Sequence, residues 1–230
     1  MKVLAIDTST MISSVGILDG EYTLGEYSLN QVKTHSELLL PMTDDLLKKL
    51  NLTFDDIDLF AVAKGPGSFT GLRIGMSAVK SMAQVLDKKI VGVSTLEALA
   101  YGIVSDRLIM PLIDARGKRY FSAVYKWKDG QLHREVEEGL FKEKDIVEFL
   151  KNTDKDFVLV GDAIHLIKDK LSDLNNIQYA NARQNNCLAI SIGQLAAVKA
   201  QEGKFDSYYD LAPNYIRKSQ AELDYDKRNN

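Results

Sequence analysis

Val3-Leu4-Ala5-Ile6-Asp7-Thr8-Ser9-Thr10 opens the chain as a short apolar run that stops at an acid and three hydroxyl residues. About 107 residues further on the pattern returns: Leu108-Ile109-Met110-Pro111-Leu112-Ile113 ends at Asp114-Ala115-Arg116-Gly117. A second stretch follows each, Ser14–Leu18 in one case and Tyr120–Trp127 in the other. Then comes Asp-Gly, at 19–20 and 129–130, and a third stretch, Tyr22–Leu29 and Gln131–Glu137. Apolar runs bounded by polar turn residues read as strands, and Asp-Gly between two of them is a hairpin signal. Two meanders in the same order imply a duplicated lobe with a cleft between the halves. Chance likeness of two unrelated meanders is the alternative.

Helices are expected between the meanders. Thr34 and Glu37 have capping-box spacing, and Leu38, Leu39, Met42, Leu46 and Leu50 then recur at helical intervals. Phe60–Ala63 reads as a central strand. From Thr70 to Leu86, a helical side is formed by Leu72, Met76, Val79, Met82, Ala83 and Leu86. Ile90–Val93 is a further strand, and Ser94 with Glu97 makes a second capping box for a helix to about Ile103. Alternating strands and helices imply a partly parallel sheet covered by helices. The second half carries weaker signals: a helix over Glu143–Leu150, a strand at Phe157–Val160 and a helix at Ile164–Leu171. Asn186–Gln201 is a stronger helix, stopped by Gly203. The polar residues from Asp224 onward are expected to fray.

Composition narrows the function classes. The 230 residues suit one large domain or two lobes of about 100 residues each. A net charge of -3 and a pI near 5.7 argue against a chain that holds nucleic acid by itself, although a local basic patch remains compatible. Cys187 is the only cysteine, which excludes an internal disulfide and a multi-cysteine zinc site. It reads as a small buried hydrophobe near the start of a helix. The N-terminus offers an apolar run of about four residues, against roughly 7–15 for a secretory signal. With no stretch near the roughly 20 apolar residues of a membrane span, a soluble cytoplasmic protein without membrane contact is expected.

The densest motif is Lys64-Gly65-Pro66-Gly67-Ser68-Phe69-Thr70-Gly71-Leu72-Arg73-Ile74-Gly75, between a buried strand and a long helix. Glycines allow a sharp turn and a close approach, and a helix N-terminus attracts anions. Gly65, Gly67 and Ser68, with Asp7, Thr8 and Ser9 of the opening turn, are therefore candidates for nucleotide or anion binding. The spacing is neither a Walker loop nor a dinucleotide fingerprint, because Gly71 comes one residue late. A tight strand-to-helix turn is the competing reading.

Gly65–Gly75 resembles the signature of the TsaB family, also called YeaZ, and the resemblance runs along nearly the whole chain. Ile6-Asp7-Thr8-Ser9 is similar to the family's opening strand and turn. His35-Ser36-Glu37 with Leu39-Leu40-Pro41 is similar to its first helix. Ile113-Asp114-Ala115-Arg116 matches the start of its second lobe, and Pro213-Asn214-Tyr215-Ile216-Arg217 its closing motif. The resemblance implies an α/β, two-lobe actin-like and Hsp70-like ATPase fold of duplicated lobes with central mixed sheets. The lobes are expected at 1–104 and 105–230, with the helix near 186–202 packing back on the first. It further implies a subunit beside the catalytic paralogue TsaD and the ATPase TsaE, acting on adenosine 37 of tRNAs that read ANN codons. In that setting tRNA is met through the complex, and the chain alone is expected to form a homodimer. Its first two helices would form the dimer surface, with His35, Leu38, Leu39, Met42, Phe69, Thr70, Arg73, Met76, Val79 and Lys80 as candidate interface residues.

No catalytic residue and no metal ligand is assigned. The paralogue binds metal partly through His-x-x-x-His at the helix after the strand corresponding to Ile90–Val93. Here Thr95 and Leu99 stand at those positions, and neither replaces imidazole. His35, His133 and His165 are far apart in sequence and lack partners at ligand spacing. Asp7 and Asp114 read either as remnants of a nucleotide site or as turn residues bonding their own backbone. Arg73 reads as reaching a phosphate or a partner carboxylate, or as pairing locally with an acid. The resemblance implies no cofactor of the chain's own, with ATP at the shared interface. An ATP-dependent small-molecule kinase of the same fold and an M22-like metallopeptidase are the rival functions. The kinase would need an adenosine loop that the short second half does not display.

Overall fold

Both meanders form, and each becomes one side of a five-stranded mixed sheet. The computed structural model describes residues 1–30 and 35–216, so Thr34 of the first capping box and Arg217 of the closing motif lie outside the described residues. In the first sheet β1 (Lys2–Asp7), β2 (Ile12–Asp19) and β3 (Tyr22–Asn30) run antiparallel in sequence. β4 (Leu59–Gly65) and β5 (Lys89–Ser94) then add in parallel on the other side of β1, giving the order β3-β2-β1-β4-β5.

The second sheet comprises β6 (Leu108–Asp114), β7 (Arg119–Lys128), β8 (Gln131–Lys142), β9 (Phe157–Val160) and β10 (Ile177–Tyr179), in the order β10-β9-β6-β7-β8. Counted from its own first strand this is the same topology. Val3 pairs with Leu59 in one sheet as Leu108 pairs with Phe157 in the other. The sequence reading lacked β10, which has 3 residues and too short a run for alternation to register.

Helices make three layers around the two sheets. α1 (His35–Lys49) and α2 (Phe69–Val85) cover the outer face of the first sheet, where Leu4, Ile6, Phe60 and Val62 meet Leu39, Met42, Met76 and Val79. α4 (Glu143–Lys151), α5 (Ile164–Ile167) and the 3-10 turn Lys168–Leu171 cover the outer face of the second. α3 (Thr95–Tyr101) and α6 (Ala189–Gln201) lie between the sheets and share one apolar core with both. That core joins Ala5, Ala61 and Val91 of the first sheet to Ile109, Phe121 and Val158 of the second.

Two helix ends differ from the sequence reading. Ser94 caps α3 by accepting the Glu97 N–H, but the Glu97 carboxylate turns away to Lys199 on α6 at 2.8 Å, and the helix stops at Tyr101. A long-range ion pair displaces the second half of the capping box. α6 begins at Ala189 rather than Asn186, because Asn185 accepts the Gly161 N–H and Cys187 is buried in the core.

The first turn of α6 is capped across the molecule. Ser14 on β2 accepts from the Ala189 N–H at 2.9 Å, and Glu26 on β3 accepts from the Ile190 N–H at 3.1 Å. Burial raises the Glu26 carboxyl above the ordinary carboxylate range, against the Ile190 N–H and the Arg183 charge that lower it. A raised folded value means that the ionised form loses stability on burial, a loss present above that value and gone below the unfolded one. Glu26→Gln keeps the acceptor and removes the charge. Wild type should therefore be the less stable of the two at about pH 7, with the gap closed by about pH 4. Urea midpoints at both pH values check this, and a gap that widens on acidification contradicts it.

Candidate functional site

The glycine-rich loop is built against the protein's own opening turn. After β4, Ser68 caps α2: its Oγ accepts the Gly71 N–H at 3.2 Å, and its own N–H donates to the Ser9 carbonyl at 2.6 Å. Gly67, Gly71 and Gly75 are four residues apart and face one way. A methyl group at Gly67 would come within 2.2 Å of the Ser9 carbonyl oxygen, and one at Gly71 within 2.0 Å of that of Thr8. At Gly75 it would come within 2.4 Å of the Thr8 hydroxyl. That hydroxyl donates to the Gly71 carbonyl at 2.7 Å, and the Asp7 carboxylate accepts the Ser9 N–H at 2.8 Å. The close approach that these glycines permit is thus made by the Thr8–Ser9 backbone, and the geometry accounts for their spacing without a ligand.

The closing motif lies on the same end of α2. The Asn214 N–H donates to the Lys64 carbonyl at 2.6 Å, and Tyr215 stacks on Phe69 with centroids 4.4 Å apart. The Arg73 guanidinium lies 4.0 Å over the Phe69 ring, and its Nε donates to the Tyr215 hydroxyl at 2.9 Å. Lys80 donates to the Leu211 carbonyl at 2.9 Å, and the Asp206 carboxylate accepts the Gly92 N–H of edge strand β5 at 2.7 Å. Residues 206–216 therefore form a strap over the first lobe.

Glu138 on β8 ties this strap to both lobes. Its carboxylate accepts from the Ser94 hydroxyl in the first lobe and from the Tyr125 hydroxyl, at 3.0 Å, in the second. It also accepts from the Asn214 amide at 3.5 Å, and Arg134 lies 3.6 Å away. Burial, then the Glu138 charge, pushes the Tyr125 hydroxyl well above its usual range, so it remains a donor. Sequence reasoning missed Glu138, which sits in a strand of mostly exposed residues with no local pattern to mark it.

Four of the ten candidate interface residues, Leu39, Met42, Met76 and Val79, expected on a mixed core and interface surface, are buried in the core beneath α1 and α2. Helical stripes of this kind are ordinarily core. Phe69 and Arg73 meet the protein's own Tyr215, so Arg73 pairs with aromatic groups and a hydroxyl where an acid or phosphate was expected. Lys80 is half-buried beneath the strap. Thr70 is exposed and Leu38 half-buried, while the His35 side chain lies outside the described residues. Leu40, exposed by 54 %, was not chosen because it falls off the stripe.

The nucleotide candidates do not form an open cradle. Asp7, Thr8 and Ser9 are buried, Gly65 and Gly67 are packed, and Ser68 is engaged as the cap of α2. Carboxylate and hydroxyl oxygens already occupy the first N–H groups of α6. These residues do not fit a bound nucleotide phosphate. Asp114 is exposed and accepts the Arg116 N–H at 2.7 Å, as a turn aspartate does. Burial and the Asp114 charge raise the neighbouring Asp162 carboxyl. Thr95 and Leu99 are buried in the interlobe layer. Among the described residues, no group of three or more His, Cys, Asp or Glu side chains could hold a metal ion. Burial also pushes the Cys187 thiol well above its usual range, with the nearby Asp7 acting in the same direction. No described helix is long and apolar enough to cross a membrane.

Two repeated sheets clasping a shared helical layer define a two-lobed protein of the actin-like class. The ROK hexokinase of Thermus thermophilus has this architecture, with a TM-score of 0.51 at 11% identity over 88% of this chain and 100% of that one. A Pseudomonas aeruginosa protein described as similar to peptidase YEAZ superposes with a TM-score of 0.79 at 24% identity, covering 94% of this chain and 99% of that one. The family model described as TsaD, tRNA N6-adenosine threonylcarbamoyltransferase, matches residues 23–225. The Bacillus subtilis tRNA threonylcarbamoyladenosine biosynthesis protein TsaB is 32% identical over 225 residues, 96% of each chain. The family model carries the transferase's name, whereas the full-length relative is a TsaB. The end-to-end match decides between them, and the chain belongs to the TsaB family.

Gly71 provides the sharpest test of the loop geometry. Gly71→Ala forces a methyl into the Thr8 carbonyl, which is backbone and cannot swing away. It should lower stability by about 3 kcal/mol or more, beyond the roughly 1–3 kcal/mol of ordinary overpacking. Ala at exposed Ser77 on the same helix should stay within about 0.5 kcal/mol. Equal urea midpoints for Gly71→Ala and wild type would refute the contact.

Proposed function

We propose that the chain is the non-catalytic subunit that supports the TsaD partner, with TsaE, in forming N6-threonylcarbamoyladenosine at position 37 of tRNAs reading ANN codons. The family match supports the pathway. The observation that carries the supporting role is the start of α3, where Thr95 is 0% exposed and Leu99 packs into the interlobe core. The resemblance places the catalytic paralogue's metal-binding histidines at these two positions. An alcohol and an alkyl chain sealed from solvent supply no such ligands. The chain has no cofactor of its own in this reading, and ATP belongs to the shared interface.

The docking surface is the outer face of α1 and α2. Leu40 and Pro41 stand out on α1, with Thr70 and Ser77 on α2, while the stripe behind them holds the helices to the sheet. Docking there favours one conformation of the partner without chemistry in this subunit. Alone, the chain pairs with itself through the same face in the cytoplasm.

Two substitutions separate surface from core. Leu40→Arg should abolish co-elution with TsaD and leave the thermal midpoint within about 2 °C of wild type. Met76→Ala should lower stability by about 2–5 kcal/mol through cavity formation. If Leu40→Arg co-elutes normally, the docking face lies elsewhere.

The function is tested by threonylcarbamoyladenosine formation from threonine, bicarbonate, ATP and tRNA, with the adenylate-forming synthase, TsaD and TsaE present. Modification should require this chain, and the chain should not rescue TsaD stripped of its metal ligands. Equal product without the chain rejects the proposal.

A further inference from the structure

Duplication gave the chain two copies of one turn, and the copies differ in character. The first, Thr8 to Met11 between β1 and β2, carries no charge and is held at Thr8 and Ser9 against the glycines of α2. The second, Arg116-Gly117-Lys118 between β6 and β7, is exposed, and three of the four residues from 116 to 119 are cationic. The Ala115 N–H closes the turn on the Arg119 carbonyl at 2.9 Å. Arg116, Gly117 and Lys118 have φ of 61°, 65° and 54°. The left-handed region costs a non-glycine residue roughly 1–2 kcal/mol, so long cationic side chains occupy two positions where glycine would be the easier residue.

More positive charge gathers around this turn. Lys142 lies opposite Arg119 in the strand ladder, and the Glu143 N–H donates to the Lys118 carbonyl at 3.0 Å, which brings in Lys144 at the start of α4. Two acids border the turn. Asp114 is exposed and its carboxylate accepts the Arg116 N–H at 2.7 Å, whereas the Glu143 carboxylate is turned aside, accepting from the Tyr120 hydroxyl at 2.7 Å and pairing with Lys170. Among the described residues, none of Arg116, Lys118, Arg119, Lys142 and Lys144 forms an ion pair. Among the described residues, three cations at 116–119 and two more beside them on β8 and α4 thus gather without an ion pair in a chain whose net charge is -3.

We propose that this second-lobe turn is a contact site for the phosphodiester backbone of RNA. The inference rests on the tRNA-modification reading above and adds to it the surface by which this subunit meets the substrate. Fixed, closely spaced cations suit an array of phosphates, which they bind by displacing condensed counterions. A membrane surface would call for apolar side chains among the cations. Among the described residues, no large apolar side chain is exposed between 105 and 135. Arg116, Lys118 and Arg119 position the RNA by its backbone and read no sequence.

The test compares wild type with the R116Q/K118Q/R119Q variant, each assembled with TsaD, by fluorescence anisotropy of unmodified tRNA between about 50 and 200 mM KCl. Three lost phosphate contacts should weaken binding about tenfold or more near 150 mM and make the log–log salt slope shallower by about 2–3. Gel filtration of the pair and the thermal midpoint should not change, because the turn lies on the second lobe, away from α1 and α2. Equal affinity and slope in an intact pair would overturn the inference. So would a variant that keeps tRNA binding and loses binding to vesicles containing anionic phospholipid. If the wild-type pair fails to assemble, the proposed function falls instead. Anisotropy of the isolated chain at about 20 mM KCl then decides the role of the turn, which stands only if wild type binds and the variant does not.

Discussion

The two lobes cannot be finished separately, because the apolar layer between them belongs to both. α3 and α6 bury residues against the inner faces of both sheets, and one contiguous core runs from Ala5 and Val91 through Leu99 and Ile192 to Ile109 and Val158. Layered folds are stable when each apolar face is covered, and here two faces are covered by the same helices. α6 accordingly carries small residues where it meets the first sheet. A methyl group on Gly193 would come within 2.2 Å of Leu18. Glu97 to Lys199 within the layer and Glu138 at its margin add polar ties, so the relative placement of the lobes rests on specific bonds as well as on burial.

Much of the fold was legible because its repeat is local. Strand–turn–strand–Asp-Gly–strand is a pattern of about 30 residues, and it occurs twice. What could not be read was decided by groups distant in sequence. Glu97 leaves its capping box for Lys199, and the start of α6 is fixed by Ser14 and Glu26. The site follows the same division. The glycines of the 64–75 motif mark a place of close approach in the sequence, but only the structure shows that Thr8 and Ser9 make that approach, at Gly67, Gly71 and Gly75. Periodicity found the stripe of α1 and α2, yet a stripe marks burial, so it selected Leu39, Met42, Met76 and Val79 and passed over exposed Leu40.

Duplication also allows the two copies of one turn to diverge. The first lobe's turn is packed at Thr8 and Ser9, where the Thr8 hydroxyl donates to the Gly71 carbonyl, the Asp7 carboxylate accepts the Ser9 N–H, and the space beside the α2 glycines is taken by Thr8 and Ser9. The second lobe's turn keeps the same place at the end of its first strand and remains open. Topology is conserved between the halves while chemistry is not, as expected when function resides in sites grafted on a shared framework.

The strap formed by residues 206–216 bears on the order in which the molecule can be made. A ribosome delivers β1 to β5 first, but the β5 edge stays open until Asp206 reaches Gly92. The inner face of that sheet stays bare until α6 arrives, and Phe69 lacks its cover until Tyr215 emerges. Vectorial synthesis therefore leaves the first lobe unfinished through nearly all of translation, with apolar surface exposed as in a folding intermediate. An early stop codon that spares both sheets would still remove α6 or the strap. Such a product would be sorted by quality control as an incomplete first lobe, even though the missing residues come from the other end of the chain.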